Sequence, residues 1–157
     1  MAGFFRMIRE QGVELEQIVF LCIGTDRSSG DALGPLAGTL LAEAGYSGVI
    51  GTLEYPCDAA NLAERMKEIP AGKVVIAIDA CLGMHDSVGM FQVANQPLEP
   101  GKSVGKKLPP AGDYSVAAIV NALGPKQYRT LQTTSLHRVF TMAREIVSAV
   151  KAVYPPG

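Results

Sequence analysis

The sequence predicts a single α/β domain, a three-layer α/β/α sandwich on a five-stranded, mostly parallel sheet. Three observations predict it. The wholly apolar runs Ile18–Ile23 and Val74–Ile78 read as strands buried on both faces, the habit of parallel sheets. Stretches of helical periodicity alternate with such runs, which implies right-handed crossovers. The length, 157 residues, suits one core, and 48% hydrophobic against 18% charged residues supplies the apolar surface to fill it.

In chain order, residues 1–16 form a short amphipathic lead-in. The first strand stops at Gly24. Leu33, Leu36, Leu40, Leu41 and Ala44 then recur at helical spacing, and Gly45 is placed to stop that helix. Pro35 fits its first turn, where amide groups lack partners in any case. A second strand is expected over 48–53. Asp58 precedes a helix marked by Leu62, Met66 and Ile69. The third strand ends on Asp79, and 87–94 reads as a weaker fourth. Residues 95–113, rich in Pro, Gly and Lys, form a long loop of the kind that serves as a lid or binding loop. Asp113 is placed to cap a helix carrying Val116, Ile119, Val120 and Leu123. Residues 128–134 read as the fifth strand. The last helix spans Leu136 to Val153, with Val139, Ala143, Ile146, Val150 and Val153 on one face.

Composition excludes several functions. A net charge of −1 with no basic run argues against a nucleic-acid footprint, and the absence of Trp removes the best base-stacking side chain. No apolar run reaches bilayer length, and the N-terminus lacks a signal-peptide core, so no membrane partner is expected. Three cysteines without a CxxC pair fit a reducing compartment, and the cytoplasm is the expected location.

In open α/β sheets the site lies beyond the carboxyl ends of the strands. Loops following the first three strands bring Asp26, Asp31, Glu54, Asp58 and Asp79 toward that rim. Strands lie about 4.8 Å apart, so carboxylates from neighbouring loops can approach each other. Two close carboxylates retain one proton between them and supply an acid and a base. The same arrangement could clamp a divalent cation. Asp31 and Asp58 each also suit a helix cap. Asp79, at the end of an apolar strand, needs specific partners for its burial and marks a site. Gly24, Thr25, Asp26, Ser28 and Ser29 line the first loop. That loop lacks a phosphate-binding pattern, and its aspartates would repel phosphate. Cys81 pairs in sequence with no histidine, although His85 shares its loop and His137 opens the last helix. Lys107, with Lys102 and Lys106, is either a solvated face or a substrate clamp.

Four collinear segments then resemble one known family. CIGTDRSSGDALGPLAGTLL at 22–41, VVIAIDACLG at 74–83, KSVGKKLPPAGDYSV at 102–116 and YRTLQTTSL at 128–136 are similar to the sporulation protein YyaC family of spore-forming bacteria. That family resembles the spore germination protease, an atypical aspartic endopeptidase, and more distantly the hydrogenase maturation peptidases. The resemblance implies a phosphorylase/hydrolase-like fold with one antiparallel strand, for which 87–94 is the candidate. It maps the two catalytic aspartates of the germination protease onto Asp31 and Asp79. It implies a peptidase of sporulation or germination, working in the mother cell or forespore on protein or peptide substrates such as small spore proteins. The maturation peptidases hold nickel with acidic residues and a His that has no evident counterpart here. No cofactor is therefore expected, and a divalent metal is left open, as are a homo-oligomer and a non-catalytic binding module on the same scaffold.

Overall fold

A computed structural model describes residues 1–101 and 107–157. Five strands, β1 (Ile18–Cys22), β2 (Val49–Ile50), β3 (Val74–Gly83), β4 (Phe91–Ala94) and β5 (Tyr114–Ala122), form one sheet in the order β2-β1-β3-β5-β4. All neighbours are parallel except β4 on β5, which are antiparallel. The weak strand expected at 87–94 is thus the antiparallel exception. The helices are α1 (Ala2–Glu10), α2 (Leu33–Glu43), α3 (Leu62–Met66), α4 (Gln127–Gln132) and α5 (Leu136–Val153). This is the α/β fold and mixed five-stranded sheet that the sequence predicts.

Alternation along the strands sorts the core into two layers. Phe20, Cys22, Ile76, Ile78, Val116 and Ala118 face α1, α2 and α5. Val19, Leu21, Ile23, Ala77 and Ala117 face the other way, against Leu62 of α3 and against Leu98 and Ala111 of the long loop. The second layer is thin because α3 has only five residues. Among the described residues, much of the β3-β5-β4 face has no helix above it. The expected lead-in is a helix whose Phe5 and Ile8 are fully buried against the α5 layer. Arg9 donates from Nη1 to the Val153 carbonyl at 2.6 Å and ties the two ends of the chain together.

Two elements differ from expectation. Residues 114–122 form β5, not a helix capped by Asp113. Val116, Ile119, Val120 and Leu123 match a helical repeat only because nearly every residue in the run is apolar. Seven consecutive buried residues need a strand covered on both faces. Asp113 instead accepts the Val75 amide at its Oδ2 (2.8 Å). Residues 128–134, expected as a strand, fall largely in helix α4. Thr130, Thr133 and Thr134 each donate a hydroxyl to the carbonyl four residues earlier, the bond that accommodates Thr in a helical turn. Two boundaries also move. β2 has only two paired residues. β3 continues four residues past Asp79, through a register irregularity between Cys81 and Leu82.

Candidate active site

From β1 the chain crosses through α2 to β2 on one side and returns through α3 to β3 on the other. The point where crossovers diverge is therefore between β1 and β3, the place where open sheets form clefts. Asp31 lies in the loop leaving β1, within a 3-10 turn, Gly30–Ala32, that runs straight into α2. Asp79 lies inside β3, at the level where β1 pairing stops after Cys22↔Ile78.

Glycine makes the first placement feasible. Gly24 has φ +149, and a Cβ there would stand 2.0 Å from the Asp31 carbonyl oxygen. The bare backbone lets the loop fold back so that the Thr25 amide donates to that carbonyl at 3.0 Å. Gly34 allows a second close approach at the start of the helix. A Cβ there would meet the Ile23 carbonyl oxygen at 2.0 Å, so α2 lies directly on the end of β1.

Asp31 and Asp79 line one open groove of about 1150 Å³. Its floor is the bare face of β3, β5 and β4, with Cys81, Ser115, Ala117 and Gln92; Leu98 and Glu99 of the long loop and Leu131 of α4 contribute its walls. Asp79 is only 9% exposed. Burial raises its carboxyl well above the usual carboxylate range. The Ala80 amide, donating to Oδ1 at 2.8 Å, works in the opposite direction, and the negative charge of Asp31 adds to the rise. Asp79 therefore keeps its proton to higher pH than an ordinary carboxyl group does. The half-buried Asp31 sits at the mouth of the same groove.

The other expected site residues lie elsewhere. Asp58 accepts the Ala60 and Asn61 amides at Oδ1 (2.9 and 3.3 Å) and so holds the turn ahead of α3, whose N-cap is Asn61; it does not line the groove. Ser29 donates its hydroxyl to the Thr134 carbonyl at 2.6 Å and fastens the β1 loop to the end of α4. That bond engages its hydroxyl outside the groove. Thr25 accepts the Arg27 amide at Oγ1, an internal turn contact. Asp26 is exposed and outside the groove, and Glu54 is exposed on the β2 loop. The Ser28 Oγ is buried without a hydrogen-bond partner among the described residues. Lys107 is exposed and does not line the groove; Lys102 and Lys106 lie outside the described residues.

Neither histidine lines the groove, and His85 is nearly fully exposed beside Asp86. Cys81 therefore has no imidazole partner there. Burial, with Asp79 nearby, pushes its thiol up to about 11, so it is protonated at neutral pH. Among the described residues no three His, Cys, Asp or Glu side chains converge to hold a metal ion.

Sequence reasoning missed Gln92, Ser115, Ala117 and Leu131. Three of these follow from exchanging a strand for a helix at 114–122 and a helix for a strand at 128–134. One signal was available for β5. An apolar, partly β-branched run of nine residues between Gly112 and the Gly124-Pro125 pair has strand length and strand punctuation.

Comparison with known proteins agrees with this architecture. The chain is 44% identical over 138 residues to YyaC of Bacillus subtilis (strain 168), described as an uncharacterized protein; the match covers 85% of this chain and 67% of that one. Among solved structures it is similar to the NiFe hydrogenase maturation protease HycI of Thermococcus kodakarensis KOD1. The TM-score is 0.52 with 19% identity, over 86% of this chain and 92% of that one, a likeness of fold. The model of the family described as "Protein of unknown function (DUF1256)" matches residues 2–149, and the chain belongs to that family.

Proposed function

We propose that the chain is a peptidase that uses Asp31 and Asp79 to add water across a peptide bond. One observation carries this reading: two carboxylates from different elements line one open groove, and burial pushes the carboxyl of the one embedded in the sheet well above the usual carboxylate range. Asp31 is the general base. It takes a proton from water as the water oxygen attacks the scissile carbonyl carbon. Asp79, protonated, donates to the carbonyl oxygen as negative charge builds there. The tetrahedral intermediate collapses when the proton on Asp31 passes to the leaving nitrogen and the C–N bond breaks. Asp79 takes back its proton as the new carboxyl group forms. These steps use only the chain's own carboxylates.

The peptidase-like scaffold, shared with a hydrogenase maturation protease, supports a protein substrate. The resemblance to the YyaC family points to sporulation or germination, with small spore proteins as substrates and the cytoplasm of the mother cell or forespore as the place of action. The test is incubation of the purified protein with small spore proteins, alongside Asp31→Asn and Asp79→Asn variants whose circular dichroism matches the wild type. Cleavage by the wild type that falls at least ~100-fold in both variants is the expected result. Equal cleavage by either variant would remove the aspartate mechanism. A wild type that cleaves nothing would leave the scaffold as a binding module.

A further inference from the structure

The strand register places three side chains in a straight row across the groove face of the sheet. Asp79 of β3 pairs with Ala117 of β5, and Ala117 pairs with Gln92 of β4. Directly paired residues point to the same face. All three line the groove. The next row is equally low: Ser115 pairs with Ala94. Small side chains at Ala117, Ser115 and Ala94 leave a trough running from the aspartates to the edge strand, with Leu98 beside it. Gln92 closes the far end. It is exposed, and its carboxamide makes no hydrogen bond to any described residue.

We propose that this row is a substrate subsite for an extended peptide, with Gln92 as a positioning residue and Ala117 as the residue that sets side-chain size. The inference rests on the peptidase reading of the same groove. Two strand spacings of about 4.8 Å separate Asp79 from Gln92, and an extended chain advances about 3.3 Å per residue. A peptide bond held at the aspartates therefore has its main chain beside Gln92 about three residues away. A carboxamide carries both a donor and an acceptor, so it can bond the N–H and C=O of that residue whatever its side chain. Between the two ends, the floor at Ala117 takes a large apolar side chain. The groove wall there is Leu98, and a charged side chain would lose its hydration against it.

The test uses the full chain carrying Asp31→Asn, so that bound peptide is not consumed, and two blocked heptapeptides of Ala and Ser, one with a central Phe and one with a central Ala. Binding is followed by amide chemical shifts. The expected result is a set of shifts confined to residues 79–81, 92–94 and 115–117, with the Phe peptide bound at least ~10-fold tighter. Ala117→Leu should abolish that preference and leave the Ala peptide unaffected. Gln92→Ala should weaken both peptides ~5-fold. It lies on an exposed position and serves as the test should Ala117→Leu fail to fold. Shifts elsewhere, no shifts at millimolar peptide, or binding indifferent to both substitutions would overturn the subsite. Cleavage assays on the wild-type background separate the two readings. Cleavage that needs both aspartates but ignores Gln92 and Ala117 keeps the peptidase and refutes the subsite. Shifts in the row without any cleavage keep the subsite and refute the chemistry.

Discussion

Gly24→Ala should damage fold and site together, and its size can be worked out. A Cβ at Gly24 would stand 2.0 Å from the Asp31 carbonyl oxygen and 2.9 Å from the Pro35 Cδ, whereas ordinary contact begins at 3.4 Å. Relief requires Asp31 to move back by the difference, 3.4 − 2.0 = 1.4 Å. That move breaks the Thr25 amide bond to the Asp31 carbonyl. The left-handed φ of +149 adds strain of its own. Overpacking costs about 1–3 kcal/mol and a sparsely populated backbone conformation about 1–3 kcal/mol. The total is roughly 2–6 kcal/mol, a fall in Tm of roughly 4–24 °C for a domain of this size. The control is Gly72→Ala. Gly72 also has positive φ, +86, but nothing lies within 4 Å of its Cβ position. It should lose only the backbone contribution, about 1–3 kcal/mol. Urea melts of the two variants measure the difference. A misplacement of about 1 Å costs about 100-fold in rate, so any peptide cleavage should fall by that factor in Gly24→Ala and not in Gly72→Ala. Equal melts, or equal cleavage, in the two variants would refute the account of how Asp31 is placed.

Asp79 makes stability depend on pH in a specific direction. Its carboxyl binds a proton more tightly folded than unfolded, so its contribution is complete below the unfolded pKa of about 4 and is lost as pH rises through the higher native value. Asp79→Asn should therefore be more stable than wild type at pH 7–8, with the gap closing toward pH 4; a gap independent of pH would contradict the burial. Ser29→Ala should lower stability by about 1 kcal/mol through loss of the bond to Thr134, read as a 2–4 °C fall in Tm. Cys81, with its thiol pushed up to about 11, should react slowly with iodoacetamide at pH 7.5 and faster with each step toward pH 11. A rate that levels off near pH 8.5, the value for a free thiol, would show that Cys81 is more open than its burial indicates.

Much of the fold is legible in local pattern. β1 and the start of β3 are apolar runs that only a doubly covered strand can bury, and α5 begins at Ser135, whose Oγ accepts the Arg138 amide, and ends within reach of Pro155. Errors fall where local pattern is ambiguous. The apolar run of β5 matches both periods, and the β-branched threonines in and just after α4 suit a strand until their hydroxyls find carbonyls one turn back. The candidate site divides along the same line. Asp79 stands out in sequence as a carboxylate closing an apolar run, while Asp31, Asp58 and Ser29 are all polar residues near helix starts and cannot be told apart locally.

Local order along the chain commits it to one apolar core, a mostly parallel sheet and a carboxylate built into the third strand, because each of those follows from which neighbouring residues are apolar. Which polar residues share a space is a matter of tertiary packing. Strand order and register are non-local, since they depend on crossovers that place Val74–Gly83 beside Tyr114–Ala122 and the latter beside Phe91–Ala94. That pairing sets Gln92 and Ala117 in line with Asp79 and opens a groove that Asp31 shares. The same packing draws Asp58 to the start of α3 and Ser29 to the end of α4, away from the chemistry their spacing suggests.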